Sequence, residues 1–391
     1  MTNAEVAIVG AGPAGIAAAV RAAECGADVV AIDDNPTIGG QIWRGRSVAG
    51  ASWFEKLDRC GAKVLTGSRV FTGDTKRRVL QVESANAAFE IRYEKLILAT
   101  GARELFLPFP GWTLPNVMGA GGLQGLVKGG LPIAGKRVVV AGSGPLLLAV
   151  AAYLRDRGAI VPVIVEQAYR SRVLRFAVEL CGHPAKLWQS LRLRAALASS
   201  AYWTGAWVER AEGEGKLSSV QIRWGAGAET MACDYLAIGY GLCPNTELAR
   251  YLGVTGLDGS GGVDLALIEG QIAGYEAAGR SDLASGLFPG RATARSFAEA
   301  LSRTFALRAE LRTLPDDETI VCRCEDVRFG QLKKANSWRS AKLHWRCGMG
   351  PCQGRVCGPA VQFLFDWEVA SVRPPVFPAR VGSLISEGAA K

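Results

Sequence analysis

The sequence predicts an α/β fold with two Rossmann-like halves followed by a small cysteine-rich segment, and three observations carry that expectation. Two apolar strands run into glycine-rich turns and then into alanine- or leucine-rich helices, one near residues 5–25 and one near 137–155. Behind each, a further apolar strand ends on an acidic residue, Asp33 and Glu166. Five of the ten cysteines fall between residues 322 and 357.

A chain of 391 residues exceeds one ordinary core and is expected to form two or three domains. The 48 glycines follow no collagen period and gather where strands should turn into helices, which predicts structured loops rather than disorder. The net charge of +9 admits nucleic acid, acidic surfaces and phosphate-bearing ligands. No long Lys/Arg block with interleaved aromatics occurs, so nucleic acid is not expected, and phosphates with a partner protein account for the excess. The start MTNAEVAIVGAG has no basic region and no small-residue cleavage site. The longest apolar run, Val138 to Leu154, is broken by Gly142, Ser143, Gly144 and Pro145. Neither a signal peptide nor a transmembrane segment is expected, and a cytoplasmic location is.

In the first half, Glu5 to Val9 forms the strand and Gly10-Ala11-Gly12-Pro13-Ala14-Gly15 the turn. Gly10 allows the tight turn, Gly12 lets backbone amides approach a pyrophosphate, and Gly15 lets helix and strand pack closely. The next strand, Asp28 to Ile32, ends at Asp33, eighteen positions after Gly15, where a carboxylate accepts hydrogen bonds from ribose hydroxyls. Strand, turn, helix and spaced acid together predict a bound dinucleotide.

Beyond the acid comes Ile38-Gly39-Gly40-Gln41-Ile42-Trp43, and a later strand ends in Ala99-Thr100-Gly101. These stretches resemble the two-dinucleotide-binding flavoprotein family. The resemblance implies FAD at the first loop, contacted by Gly10, Gly12, Pro13, Ala14, Gly15, Asp33, Asp34, Gly40, Gln41, Ala99, Thr100 and Gly101. It also implies nesting: the first part of the FAD domain at 1–110, an inserted second nucleotide-binding-type domain at 111–230, and a return at 231–300. A linker at 301–315 would lead to the cysteine-rich domain at 316–391. The second turn, Ala141-Gly142-Ser143-Gly144-Pro145-Leu146-Leu147, carries Leu147 where a third glycine is usual. Gly142 and Gly144 are candidate contacts there, and Glu166 would suit a ribose and repel a 2′-phosphate. NAD, another nucleotide and an inherited but empty site all remain open. No C-x-x-C lies nearby, which excludes a thioredoxin-reductase-type dithiol. The return stretch Asp234–Asn245 fits the family, but the chain is shortened near 254–264. A strand ending in Gly-Asp is missing there, and Asp258 is the candidate substitute.

In a chain without an export signal, clustered cysteines favour a metal centre over disulfides. Cys322-Arg323-Cys324, followed by Cys352-Gln353-Gly354-Arg355-Val356-Cys357, resembles the bacterioferritin-associated-ferredoxin-like domain. The resemblance implies a 2Fe–2S cluster on Cys322, Cys324, Cys352 and Cys357, with Cys347 as an extra thiol whose own C-x4-C spacing to Cys352 keeps it a candidate. Structural zinc and the remnant of a decayed cluster are the alternatives. Arg328, Lys333, Lys334, Arg339, Lys342 and Arg346 occur with no acid among them. They form either a solvated face or a docking surface with Trp338 and Trp345 as anchors.

The stretches GGQIW, LILATGARE, VVVAGSGPLLLAVAAYL, GYGLCPNTEL, CRCEDV and CGMGPCQGRVC extend the likeness nearly end to end. They resemble the alpha subunits of the opine oxidase, hydrogen-cyanide synthase and D-hydroxyproline/proline dehydrogenase group. That resemblance implies an oxidoreductase subunit partnered by a flavoprotein beta subunit, which oxidises a C–N bond. This chain would pass electrons through FAD and 2Fe–2S to an acceptor. The rival expectations are an NADH-dependent reductase and a non-catalytic assembly subunit. No residue is expected to act as an acid–base catalyst.

Overall fold

The computed structural model describes residues 2–369 and 372–385, and the chain divides into two compact units. The expected cysteine-rich segment therefore has its final residues, 386–391, and residues 370–371 outside the described part.

The first unit comprises residues 1–103, 244–299 and 371–391. Its six-stranded sheet runs β1 (Thr2–Val9), β2 (Val29–Ile32), β3 (Lys63–Leu65), β4 (Ser68–Asp74), β5 (Val79–Ser84) and β6 (Ala88–Leu98) along the chain, ordered β3-β2-β1-β6-β5-β4. The four strands β3, β2, β1 and β6 are parallel, and β4 and β5 close the edge antiparallel. Alternation in β1 serves two cores: Val6 and Ile8 face the helix α1 (Pro13–Glu24), while Ala7 and Val9 face the opposite layer. The alanines at the centre of α1 are fully buried, and small side chains let a second helix, Val263–Ala277, approach almost to backbone contact. A Cβ on Gly270 would stand 2.1 Å from the Ala14 carbonyl oxygen, and one on Gly274 would stand 2.4 Å from that of Ala18. The Arg21 guanidinium fastens the same pair by donating to Gln271 Oε1 at 3.0 and 2.8 Å.

The strand expected to be missing is indeed absent. Between Gly253 and Gly262 the chain passes the end of β6 in irregular form, with Leu257 N donating to Leu98 O at 2.8 Å. Asp258 lies there, exposed, its carboxylate accepting from the Ser260 amide and hydroxyl.

The second unit comprises residues 104–243 and 300–370, so a second Rossmann-like sheet is inserted in the chain of the first. Its strands, in spatial order Ala201–Thr204, Val163–Glu166, Val138–Gly142, Tyr235–Gly239 and Val117–Gly119, are all parallel. A three-stranded antiparallel sheet, 206–232, packs beside it in one core. The apolar run from Val138 resolves as the expected strand and turn, followed by the helix Leu146–Asp156. Among the described residues no helix is long and apolar enough to cross a membrane.

The cysteine-bearing segment belongs to this second unit. Its small core gathers Val321, Leu332, Trp338, Ala341 and Val361, and Phe363 packs against the larger core. Trp112 Nε1 donates to Ile320 O at 2.6 Å, and Arg312 pairs with Asp366 through two 2.7 Å bonds.

Gly274→Val should drive its side chain into the Ala18 carbonyl and part the two helices. We expect a loss of about 2 kcal/mol or more in chemical denaturation, from overpacking of this order. An unchanged midpoint would mean that the helix contact carries little of the first unit's stability.

Candidate flavin and metal sites

The first glycine loop sits where β1 ends and α1 begins, at the carboxyl edge of the parallel strands, where nucleotides bind in such sheets. Its glycines are needed for different reasons. A Cβ on Gly10 would stand 2.2 Å from Ala99 O and one on Gly15 would stand 1.8 Å from Gly10 O, so the fold itself requires both. A Cβ on Gly12 would meet only Gly40 Cα, at an ordinary 3.9 Å. The space above Gly12 is therefore not demanded by packing, and it is where a pyrophosphate would approach the loop. Gly39 N donates to Ala11 O at 2.8 Å, which brings the Gly-Gly pair beside this loop. Asp33 is buried, accepting from Ala11 N at 2.6 Å and from the Asn35 amide and side chain.

The Ala99-Thr100-Gly101 turn is bound to the return segment. Thr100 Oγ1 donates to Asn245 O at 2.7 Å, Asn245 Nδ2 donates to Thr100 O at 2.8 Å, and Asn245 N donates to Gly101 O at 2.9 Å. Arg103 extends the link to Asn245 Oδ1 and, at 2.7 Å, to Glu247. Pro13 opens α1, and the Ala14 carbonyl faces Gly270. Asp34 is exposed and paired with Arg69 at 3.3 Å, and Gln41 is exposed and accepts from Arg44. The loop, the Gly-Gly pair, the buried acid and the open space above Gly12 fit an FAD.

The second loop has the same plan but a different cover. Glu166 is fully buried, its two oxygens accepting from Gly144 N at 2.7 Å and Ala168 N at 2.8 Å. Burial pushes its carboxyl up to about 7, against the lowering effect of those amides. A Cβ on Gly144 would meet the Phe305 ring at 3.9 Å, as loose a contact as the one at Gly12, so the glycine itself does not set the two loops apart. The side chains around it do, with Ser143 Oγ donating to Phe305 O at 2.9 Å and Gln167 Oε1 accepting from Arg308 N at 3.1 Å.

All five clustered cysteines converge. The sulfurs of Cys322, Cys347 and Cys357 lie within 4.8 Å of one another, and all three residues are buried. Cys352 touches Cys357 and Cys324, the latter exposed. The four cysteines expected from the sequence thus form two contacting pairs, Cys322–Cys357 and Cys324–Cys352, joined through Cys352 and Cys357. Cys347 stands at the buried end, closer to the group than a spectator thiol would be, and sequence spacing alone could not place it. Backbone amides point at the sulfurs: Gly348 N at Cys322 Sγ (3.5 Å), Glu325 at Cys322, Gly354 and Val356 at Cys352, and Cys352 at Cys324. Hydrogen bonds from the Cys347 and Cys357 thiols hold Cys322 well below the usual thiol range, while sharing protons with Cys322 pushes both partners up. Sulfurs that compete for protons in a nest of amides suit a cation in the protons' place. The donor set fits a 2Fe–2S centre. Gly350 is required, since its Cβ would stand 2.3 Å from that of Cys324.

The basic stretch is partly paired within the fold. Arg328 pairs with Glu318 at 2.5 Å, Lys333 with Asp317, and Arg346 with Glu325 at 2.7 Å. Trp338 is buried in the local core, and Trp345 packs against it. Acids outside the stretch neutralise half of it, and its tryptophans are structural.

The pyridine nucleotide-disulphide oxidoreductase family matches residues 4–267. Hydrogen cyanide synthase subunit HcnB of Pseudomonas aeruginosa is 32% identical, over 90% of this chain and 90% of that protein. An opine oxidase subunit of Rhizobium meliloti is 30% identical, over 97% of this chain and 84% of that protein. The latter alignment spans 455 positions, more than the 391 residues here, so this chain lacks stretches that its relative carries. L-proline dehydrogenase from P. horikoshii shares the fold, with a TM-score of 0.65 at 19% identity, covering 98% of this chain and 79% of that one. The chain belongs to the pyridine nucleotide-disulphide oxidoreductase family, in the branch of the hydrogen cyanide synthase and opine oxidase subunits.

Glu166 gives this site a pH signature. The folded chain keeps a proton that the unfolded chain releases near 4.5, so between about 4.5 and about 7 the unfolded state binds fewer protons and stability falls as pH rises. Glu166→Gln carries a constant penalty and no such slope. The difference in unfolding free energy between the two proteins should change by about 3 kcal/mol from pH 4.5 to pH 8. Parallel curves would mean that Glu166 titrates like a solvated carboxylate.

Proposed function

We propose that this member of the pyridine nucleotide-disulphide oxidoreductase family is the FAD- and 2Fe–2S-carrying subunit of a heteromeric dehydrogenase that oxidises a C–N bond of an amino acid or opine. The observation that carries the reading is the paired-thiol nest with amides aimed at its sulfurs, in a chain that also has an open glycine loop. Bound at these sites, FAD accepts electrons in pairs and a 2Fe–2S centre passes them singly towards an acceptor. The chain's own residues hold and insulate. Asp33 would take the ribose hydroxyls, and Gly12 would admit the pyrophosphate. Asp258, at the end of β6, is the acid available in place of the missing Gly-Asp strand. Cys322, Cys324, Cys352 and Cys357 would hold the irons, and amides would lower the charge felt at the sulfurs. We assign FAD binding to 1–103 and 244–299, since the strand Tyr235–Gly239, expected in the FAD part, lies in the second sheet, and the iron centre to 316–369.

A separate flavoprotein beta subunit is part of the proposal. Both relatives, HcnB and the opine oxidase chain, are named as subunits. A cytoplasmic location is consistent with the clustered free thiols.

Iron content tests the metal assignment. Cys352→Ser and Cys357→Ser, purified without oxygen, should lose nearly all iron and the visible absorption of the centre. One zinc and no iron in the wild-type protein would overturn it. For the flavin, Gly12→Val should yield flavin-poor protein with an unchanged fold by circular dichroism.

Association tests the rest. The chain alone should show no dye-linked amino-acid or opine dehydrogenase activity, and co-expression with its flavoprotein partner should supply it. Full turnover by the isolated chain would return the substrate site to this sequence.

A further inference from the structure

We infer that the second glycine loop, with Glu166 and Gln167, is a binding site whose ligand is the chain's own strap, Phe305–Glu310, in place of a dinucleotide. The strap leaves the helix Phe288–Thr304 and crosses the carboxyl ends of the parallel strands Val138–Gly142 and Val163–Glu166. This is the crevice in which doubly wound sheets take their ligands.

The strap meets that crevice with ligand-like chemistry. Ser143, the residue between the two loop glycines, donates from Oγ to Phe305 O at 2.9 Å. Gln167, next to the acid, donates from Nε2 to Ser143 Oγ at 2.8 Å and lies 3.4 Å from the carbonyls of Phe305 and Ala306. Its Oε1 accepts from Arg308 N at 3.1 Å. Polar groups that would face a pyrophosphate and ribose are thus satisfied by main-chain groups of the strap. The Phe305 ring passes beside Gly144, 3.9 Å from where a Cβ would stand, and packs edge-on against Phe176 at 5.5 Å.

Beyond the acid, the Arg308 guanidinium lies over two aromatic rings. It sits 3.9 Å from the Tyr169 ring and 4.8 Å from the Trp207 ring, with Glu310 at 2.5 Å to balance its charge. Its side chain is only 9% exposed. Leu311 and Leu314, just past the strap, are buried in the main core of the unit and tie the segment down.

Glu166 is 0% exposed with both oxygens on backbone amides, much as Asp33 is in the first half, so the acid does not separate the two loops. Ser143 and Gln167, both spent on the strap, do. The second Rossmann-like half is therefore an anchor for the segment that leads into the cysteine nest, and not a port for NADH. This inference stands on the second unit alone and survives whichever substrate or partner the complex uses.

The test uses the full chain with its bound cofactors and needs no variant for its first arm. Calorimetric titration with NADH, NADPH and ATP should show no saturable binding up to about 1 mM. Hydrogen–deuterium exchange should find the amides of 305–310 slow. Gln167→Ala, which removes the bonds to Phe305, Ala306 and Arg308, should speed exchange across that strap about tenfold while leaving iron and flavin content unchanged. Micromolar binding of NADH or ATP to the wild-type chain, with new protection at 142–147 and release of 305–310, would overturn the inference. So would strap amides that exchange as fast in the wild type as in Gln167→Ala. Loss of iron or flavin in the wild type would count against the proposed function without touching this result.

Discussion

Both nucleotide-type halves depend on backbone meeting backbone at the carboxyl edge of a parallel sheet. In the first, Gly10 lies so close to Ala99 at the end of β6 that a Cβ would stand 2.2 Å from a carbonyl oxygen. In the second, Gly142 stands in the same relation to Gly239, at 1.9 Å. That contact sets the strand ends level, aims the following helix N-terminus at the crevice, and fixes where each acid must fall. Any side chain at these positions would lift the loop from the neighbouring strand and remove the crevice with it.

From this shared geometry the two halves diverge by what lies over the loop. Above Gly12 there is room, and the Gly-Gly pair after β2 stands beside it. At Gly144 the room is the same, but the polar side chains that border the loop are spent on the strap's carbonyls and amide. The same fold thus borders an open loop in one half and serves as a fastening point for the chain's own strap in the other. The difference arises from a segment about 140 residues away in sequence from Gln167.

The cysteine nest follows a third logic. Thiolates repel one another, so convergence of five sulfurs requires compensation from their surroundings. Here it comes from main-chain amides on tight turns, and those turns need glycine because Gly348 lies against the Trp338 ring and Gly350 against Cys324. Arg346 and Glu325 balance each other at the rim, which keeps the local field small and leaves the sulfurs to a cation. Half of the cations that look unopposed along the sequence are matched by Asp317, Glu318 and Glu325 in the fold.

The sequence by itself determined the features that are local and periodic. Strand–turn–helix units around Gly12 and Gly144, the acids at Asp33 and Glu166, the irregular stretch replacing a strand near residue 258, and the clustering of cysteines all follow from short-range spacing. Steric and hydrogen-bonding rules act there within a few residues, so the residues that obey them stand together in the chain. Tertiary structure alone decided what lies across each loop, which thiols touch, and which charges are paired. Phe305 reaches Ser143, Cys347 reaches Cys322, and Lys333 reaches Asp317 only through folds of the chain that no local pattern encodes. Occupancy of a site is a property of whatever comes to rest over it, and that depends on long-range packing.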